Sequence, residues 1–267
     1  MTFARRSAVT AAALAVVVLG ASAAGGGPAA PADTAPEPTQ APALLPNMTP
    51  LNANDVHIER TDGTRWLRFE SGLANIGRGP MEVRPNDAKR CPGTQRHASQ
   101  IVYHDVDGSR FFKRRVDTQI SRRSAGCMVF HRLHDHWHFE AASRYTLRRP
   151  TGDDILVASK KLSFCLRDSE RVPESYGTFH QPLFYGACAR GTPQGISTGW
   201  VDIYQSFLDG QALRLPRRVG DGRYCLQTRV DPRDELRESD ETDNTSMRAF
   251  RLRGDAVSVI DSSICAR

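Results

Sequence analysis

The 267-residue chain has no segment long enough to cross a bilayer as a helix: its apolar run, residues 8–19, falls short of the roughly 20 residues a span requires. No CxxC pair occurs, which argues against a zinc ribbon or a thioredoxin-like redox motif. No cysteine precedes Cys91, which argues against a lipid anchor behind the N-terminal segment. A long 3.6-residue hydrophobic period is missing, as is an internal repeat, so helical bundles and solenoids are not expected. Basic segments interleaved with aromatics are missing too, so nucleic acid is not an expected partner despite a formal charge of +6.

The N-terminus reads as a targeting segment. Arg5 and Arg6 precede the apolar run, and Ala21-Ser22-Ala23 follows it, the order of a secretory signal peptide over 1–23. The arginine pair also fits the twin-arginine route. Residues 24–44 are mostly Ala, Pro, Gly and Thr with little to bury, and read as a disordered linker. A single catalytic domain is expected over 45–267. The signal carries Arg5 and Arg6 and the linker carries Asp33 and Glu37, so the folded part keeps the whole formal +6. Such a surface favours anionic partners such as wall polymers, although solvated basic side chains are the plainer account. Secretion makes disulfides expected. Six cysteines are an even set, and sequence proximity suggests Cys91–Cys127, Cys165–Cys188 and Cys225–Cys265.

Strand-like runs rich in β-branched and aromatic residues dominate: 56–60, 66–76, 81–84, 100–104, 136–148, 155–165, 224–230 and 246–252. Several are bounded by turn pairs such as Asp62-Gly63, Asp107-Gly108 and Thr151-Gly152. The stretch 169–198 is long, poorly periodic and rich in Gly, Pro and aromatics; a connection of that length in an ordered domain is often functional. The fold class expected is mainly β, a single disulfide-linked β-sandwich with long loops.

Four of the eight histidines lie within 131–138. In an extended strand His134, His136 and His138 share one face, with same-face neighbours about 6.6 Å apart. Imidazoles can converge from there on one ion at about 2 Å, and three donors leave a coordination position open for chemistry. Imidazole suits copper and zinc alike. A histidine-rich strand on a wet sheet face is the plain alternative, and a structural histidine the plain account of His131.

Downstream motifs add a family resemblance. His134-x-His136-x-His138 resembles the HxHxH copper motif of the lysyl oxidase family. Lys161-x-Ser163-Phe164-Cys165-Leu166-x-Asp168 resembles its KASFCLED segment, and Gln194-Gly195-x-Ser197-x-Gly199-x-x-Asp202-x-Tyr204 its QGLSPGCYDTY segment. All three occur in family order. The resemblance implies a secreted amine oxidase that uses copper(II) and a self-made lysine tyrosylquinone, formed from Lys161 and Tyr204. Copper and O2 would oxidise the Tyr204 ring, and the neutral Lys161 amine would add to it. A primary-amine or lysine-containing protein substrate would then be converted to an aldehyde, with O2 consumed and ammonia and hydrogen peroxide released. Asp202 is the candidate base: if 200–204 is extended, Asp202 and Tyr204 share a face. A surface lysine, an ordinary strand tyrosine and a salt-bridged carboxylate are the plain alternatives for these three residues.

A second metal is implied where Glu238-Ser239-Asp240-Glu241-Thr242-Asp243-Asn244 resembles the family's ESDYTNN segment, whose residues bind calcium in some members. With Leu45-Pro46-Asn47-Met48 resembling LPDL, the calcium set is Asn47, Met48, Glu238, Asp240, Asp243 and Asn244, hard oxygen donors. Leu133 and Trp200 stand where animal members have cysteines. Those bridges are therefore absent, and the pattern resembles a bacterial branch. Two other readings use the same residues: a non-catalytic calcium-binding adhesion module, and a zinc hydrolase with Glu140 as base.

Overall fold

A computed structural model describes residues 40–265 except 152–153 and 160–161. The expected signal peptide, most of the expected linker, and Lys161 therefore lie outside the described residues. The strands in chain order begin with β1 (Ala43–Leu44), β2 (Met48–Pro50), β3 (Asn54–Thr61), β4 (Thr64–Asn75), β5 (Met81–Arg90) and β6 (Arg96–His104). Then come β7 (Ile120–His131), β8 (His136–Arg148), β9 (Ile155–Ala158), β10 (Leu162–Phe164), β11 (Glu170–Arg171) and β12 (Gln194–Ile196). The last are β13 (Trp200–Tyr204), β14 (Ala212–Leu215), β15 (Gly222–Val230), β16 (Thr245–Arg253) and β17 (Ala256–Val259).

One sheet runs β12-β5-β6-β7-β8-β15-β16-β17, with β1 on β6 and both β9 and β10 on β8. The second runs β11-β13-β4-β14, with β2 and β3 also on β4. The expected mainly-β, disulfide-linked class is what is observed, and the two sheets share their core. Met48 and Leu73 of the second sheet pack with Val83, Met128 and Phe139 of the first. Further along, Leu67, Phe69 and Leu213 meet Tyr145, Tyr224 and Phe250. Leu67 and Phe69 alternate inward on β4 and are fully buried, each burial contributing about 1.5–3 kcal/mol. The Phe69 ring meets Tyr145 edge-on at 4.7 Å. Among the described residues, no helix is long and apolar enough to cross a membrane.

All three expected disulfides are present: Cys91–Cys127, Cys165–Cys188 and Cys225–Cys265. They close loops of 36, 23 and 40 residues. Each restricts the unfolded chain by an amount of the order of 3–4 kcal/mol.

Two local differences bear on function. The run expected over 155–165 is two strands, β9 and β10, both paired with β8. Strand β7 has little hydrophobic alternation, because its first half is largely exposed; pairing with β6 and β8, not its own pattern, makes it a strand. At the start, Ala43 and Leu44 pair with His104 and Tyr103, so ordered structure reaches into the stretch read as linker.

Candidate active site

Strands β7 and β8 form a hairpin closed by the pair His131↔His136, and residues 132–135 make its turn. His134 therefore sits in the turn and not on a strand face. Strand alternation places only His136 and His138. The turn needs Asp135 at φ 54°, a left-handed conformation that aspartate tolerates better than most residues.

The turn nevertheless folds His134 back toward its neighbours. His136 Nε2 and His138 Nε2 are 3.1 Å apart, and His134 Nδ1 is 3.5 Å from His138 Nε2. An ion with bonds of 2.0–2.1 Å separates its donors by about 2.9 Å at right angles and about 3.4 Å at tetrahedral corners. Both measured separations from His138 Nε2 are close to those values, while the three histidines whose ring nitrogens are mutually close are His131, His134 and His138, with His136 placed beside Cys165 and Cys188. Burial is the main cause lowering the His138 pKa to about 4, with the neighbouring His136, His131 and His134 adding to it. His136 is lowered as well, again chiefly by burial. Neutral imidazole is the metal-binding form. His131 stacks on His134 at 3.9 Å and on His138 at 4.9 Å. Ring nitrogens of His131, His134 and His138 all lie within 4.8 Å of one another. His131 Nδ1 and His136 Nδ1 are buried without a hydrogen-bond partner among the described residues.

Tyr204 and Asp202 do share a face of β13. The Tyr204 hydroxyl donates to Asp202 Oδ2 and, at 3.1 Å, contacts the Cys165 carbonyl. Its ring stacks on Phe164 at 3.8 Å. Asp202 is 1% exposed and accepts further hydrogen bonds from Ser169 Oγ at 3.0 Å and Arg167 N at 3.2 Å. Burial pushes its pKa up to about 7 against those donors. Burial and the adjacent carboxylate also raise the Tyr204 phenol well above its ordinary value.

Cys165 connects the two groups. Its carbonyl accepts from Tyr204, and its sulfur lies within 4.8 Å of a His136 ring nitrogen, as does that of Cys188. Those sulfurs are joined to each other, so they are not thiolate ligands. Phe164 is registered opposite Phe139 on β8, next to His138. Tyr204, Asp202, Phe164 and the histidine hairpin therefore form one neighbourhood, and Lys161 lies outside the described residues.

Sequence reasoning missed what holds this neighbourhood together. Asp168 accepts from Phe184 N, Tyr185 N, Ser197 N and Ser197 Oγ at 2.7–3.0 Å. It latches the long 169–198 connection to the segment carrying Phe164. Gly195 is required where β12 crosses β5, since a Cβ there collides with the Met81 carbonyl oxygen. Trp200, standing in place of a cysteine, donates its indole N–H to the Gln181 carbonyl at 2.7 Å. That bond and the Asp168 contacts tie the 169–198 connection to β13 and to the segment after β10. Leu133, in the other cysteine position, is 92% exposed at the hairpin tip.

The acidic turn closes on the domain start. Asn47 Nδ2 donates to Asp243 Oδ2 at 3.0 Å, Met48 N donates to Glu238 Oε2, and Asn244 Nδ2 donates to Glu238 Oε1 at 3.2 Å. Three buried oxygens here, Asn47 Oδ1, Asp243 Oδ1 and Asn244 Oδ1, have no hydrogen-bond partner among the described residues. Bare oxygens beside a buried carboxylate fit a calcium ion, which takes oxygen donors only. Asp240 is exposed on the same turn, accepting from Thr242. Glu241 is a neighbour the motif did not assign, accepting from Glu238 N at 3.0 Å. Burial raises the Glu238 pKa to about 8, and it raises Asp243 also.

Fold and site together define a disulfide-linked β-sandwich with a hairpin carrying four clustered histidines beside a buried phenol–carboxylate pair. A family model described as lysyl oxidase matches residues 113–262, more than half of the chain, and the chain belongs to that family. Human lysyl oxidase homolog 3 is 32% identical over 117 residues, 43% of this chain and 14% of that protein. Lysyl oxidase homolog 2 of Xenopus tropicalis is 32% identical over 127 residues, 47% and 15%. Human lysyl oxidase homolog 1 is 28% identical over 182 residues, 66% and 30%. The chain thus spans less than a third of the length of these relatives. The bacterial placement suggested by Leu133 and Trp200 finds no support in these vertebrate relatives.

Proposed function

We propose that the chain is a secreted copper-dependent amine oxidase. It deaminates primary amines, peptidyl lysine or small amines, to aldehydes through a lysine tyrosylquinone made from Lys161 and Tyr204. Each turnover takes one amine, one O2 and one water to one aldehyde, one ammonia and one hydrogen peroxide. The observation that carries this reading is the Tyr204–Asp202 hydrogen bond, joined through Cys165 to the histidine hairpin. His134 Nδ1, His136 Nε2 and His138 Nε2 would hold copper. Bound copper supplies redox chemistry toward O2, and the quinone supplies an electrophilic carbonyl for the amine.

The chain's own residues do the rest. The Phe164 ring holds Tyr204 flat, and the Cys165 carbonyl and Asp202 fix the direction of its hydroxyl. Asp202, ionising near pH 7, takes a proton at Oδ2 from the α-carbon of the amine and returns it to product. Arg167 N donates to that oxygen and Ser169 Oγ to Oδ1, so the two together fix the carboxylate plane.

Copper titration is expected to saturate at one equivalent per chain. His138→Ala is expected to weaken binding more than about 100-fold, because the donor shared by both close contacts is lost. One-equivalent binding that survives replacement of all three histidines, measured by metal analysis after dialysis, excludes the assignment.

For the acidic turn we propose calcium, held by Asn47, the Met48 carbonyl, Glu238, Asp240, Asp243 and Asn244. The Glu238 pKa is raised in the folded state, from 4.5 to about 8. Between those values the folded chain binds more protons than the unfolded one, so stability falls as pH rises through this window. In chelator the unfolding midpoint is expected to drop from pH 5 to pH 8. Calcium displaces the proton, and 1 mM Ca²⁺ is expected to raise the midpoint most at the alkaline end. A midpoint indifferent to calcium at pH 8 rules out the site.

A further inference from the structure

Beside the 169–198 connection lies a cavity of about 600 Å³ whose walls include Phe111, Phe179, Leu183 and Phe184. Phe111, Phe179 and Leu183 are 42%, 53% and 54% exposed, and the first two rings stand 5.4 Å apart. Exposed aromatics clustered in this way mark an interaction site. Lys113, Arg114 and Arg115 also line the cavity, and no carboxylate among the described residues does. Asp107 neutralises Lys113. The Arg114 guanidinium lies over the Phe184 ring at 3.1 Å and has no hydrogen bond or ion pair among the described residues. A guanidinium stacked on a ring keeps its N–H edge available to an anion.

The wall of the cavity leads along the chain toward the site. A second cavity, about 250 Å³, shares Arg114, Phe184 and Tyr185 with the first and continues along Gly186 and Ala187. The next residue, Cys188, has its sulfur within 4.8 Å of a His136 ring nitrogen. Asp168 fixes this wall through Phe184 N and Tyr185 N. From residue 184 to residue 188 an extended chain reaches at most about 14 Å, so a bound peptide covers that distance in no more than about four residues.

We propose that this groove binds the flank of a polypeptide substrate, accepting an aromatic or large aliphatic side chain beside a carboxylate, within about four residues of the lysine to be oxidised. The proposal rests on the amine oxidase reading and narrows its substrate. It also resolves a charge conflict. A chain with formal charge +6 repels a lysine-rich target, whereas a lysine set among acidic and apolar residues meets complementary charge at Arg114 and Arg115.

The test uses the full chain and fluorescein-labelled nonapeptides with one lysine and a Glu-Phe pair four residues away, on either side. Matched peptides carry Gln-Ser instead. Fluorescence anisotropy without added metal reads binding, and the ratio of kcat/KM for each peptide to that for n-butylamine reads turnover. One Glu-Phe order is expected to bind at least about tenfold more tightly than its Gln-Ser partner. Arg114→Glu and Phe179→Ser, both exposed positions checked by unchanged unfolding midpoints, are expected to remove most of that preference and to lower the kcat/KM ratio in parallel. Equal affinity for Glu-Phe and Gln-Ser peptides in both orders overturns the proposal, as does a preference that survives the double variant. A binding preference with no oxidation of any amine instead removes the oxidase reading and leaves the groove.

Discussion

Amine-dependent peroxide release is expected to fall to background in Tyr204→Phe, and the folded structure is expected to survive. The variant keeps the ring that stacks on Phe164 at 3.8 Å and removes only the hydroxyl that meets Asp202 and Cys165. Losing one such hydrogen bond costs about 1 kcal/mol, too little to unfold a domain with three disulfides. Chemically the loss is complete, because phenylalanine has no phenol oxygen to become a quinone carbonyl. Lys161→Ala is expected to reach the same background for a different reason: it removes the nitrogen of the cross-link. In the unaltered protein, copper and air are expected to give a pink chain with a 161–204 linkage by peptide mass spectrometry and a positive quinone stain. Both signals are expected to be absent from the two variants. Turnover at the unaltered rate in either one shows that another mechanism operates.

Asp202→Asn separates the base from the scaffold. The substitution keeps the shape of a residue that is 1% exposed and removes its capacity to take a proton. A fall in kcat of about 10²- to 10⁴-fold is expected, the usual contribution of a positioned base. In the unaltered protein kcat/KM is expected to rise with pH through about 7, where the carboxyl ionises, and the asparagine variant is expected to lose that limb. Stability moves the other way. The Asp202 pKa is raised on folding from 3.8 to about 7, so the buried charge reduces stability progressively as pH rises between those values and fully above them. The variant is therefore expected to be at least as stable as the parent at pH 8. Lower activity accompanied by a lower unfolding midpoint points instead to a structural role for Asp202.

The histidine hairpin was legible because its donors are close in sequence. Even so, the turn and not the strand places His134, since Asp135 takes a left-handed conformation that alternation arguments ignore. The Asp202–Tyr204 pair was legible for the same local reason, as two residues on one face of β13. The Asp168 latch was not. Its partners Phe184, Tyr185 and Ser197 lie 16–29 residues away, and no local pattern encodes such a contact. Strand β7 escaped notice because its neighbours, and not its own alternation, stabilise it. The three disulfides followed sequence proximity, which works where short loops cost the least entropy to close.

Runs rich in β-branched and aromatic residues, with turn chemistry between them, determined the mainly-β class, and the order of three short motifs identified the family; both are local properties of the chain. Tertiary structure decided that Cys165 lies between Tyr204 and His136. It also decided that Asn47, Asp243 and Asn244 turn bare oxygens inward together, and that an aromatic cavity opens beside Arg114. Each of these joins residues far apart in sequence, and only the packing of two sheets and the latching of one long loop bring such groups within bonding reach.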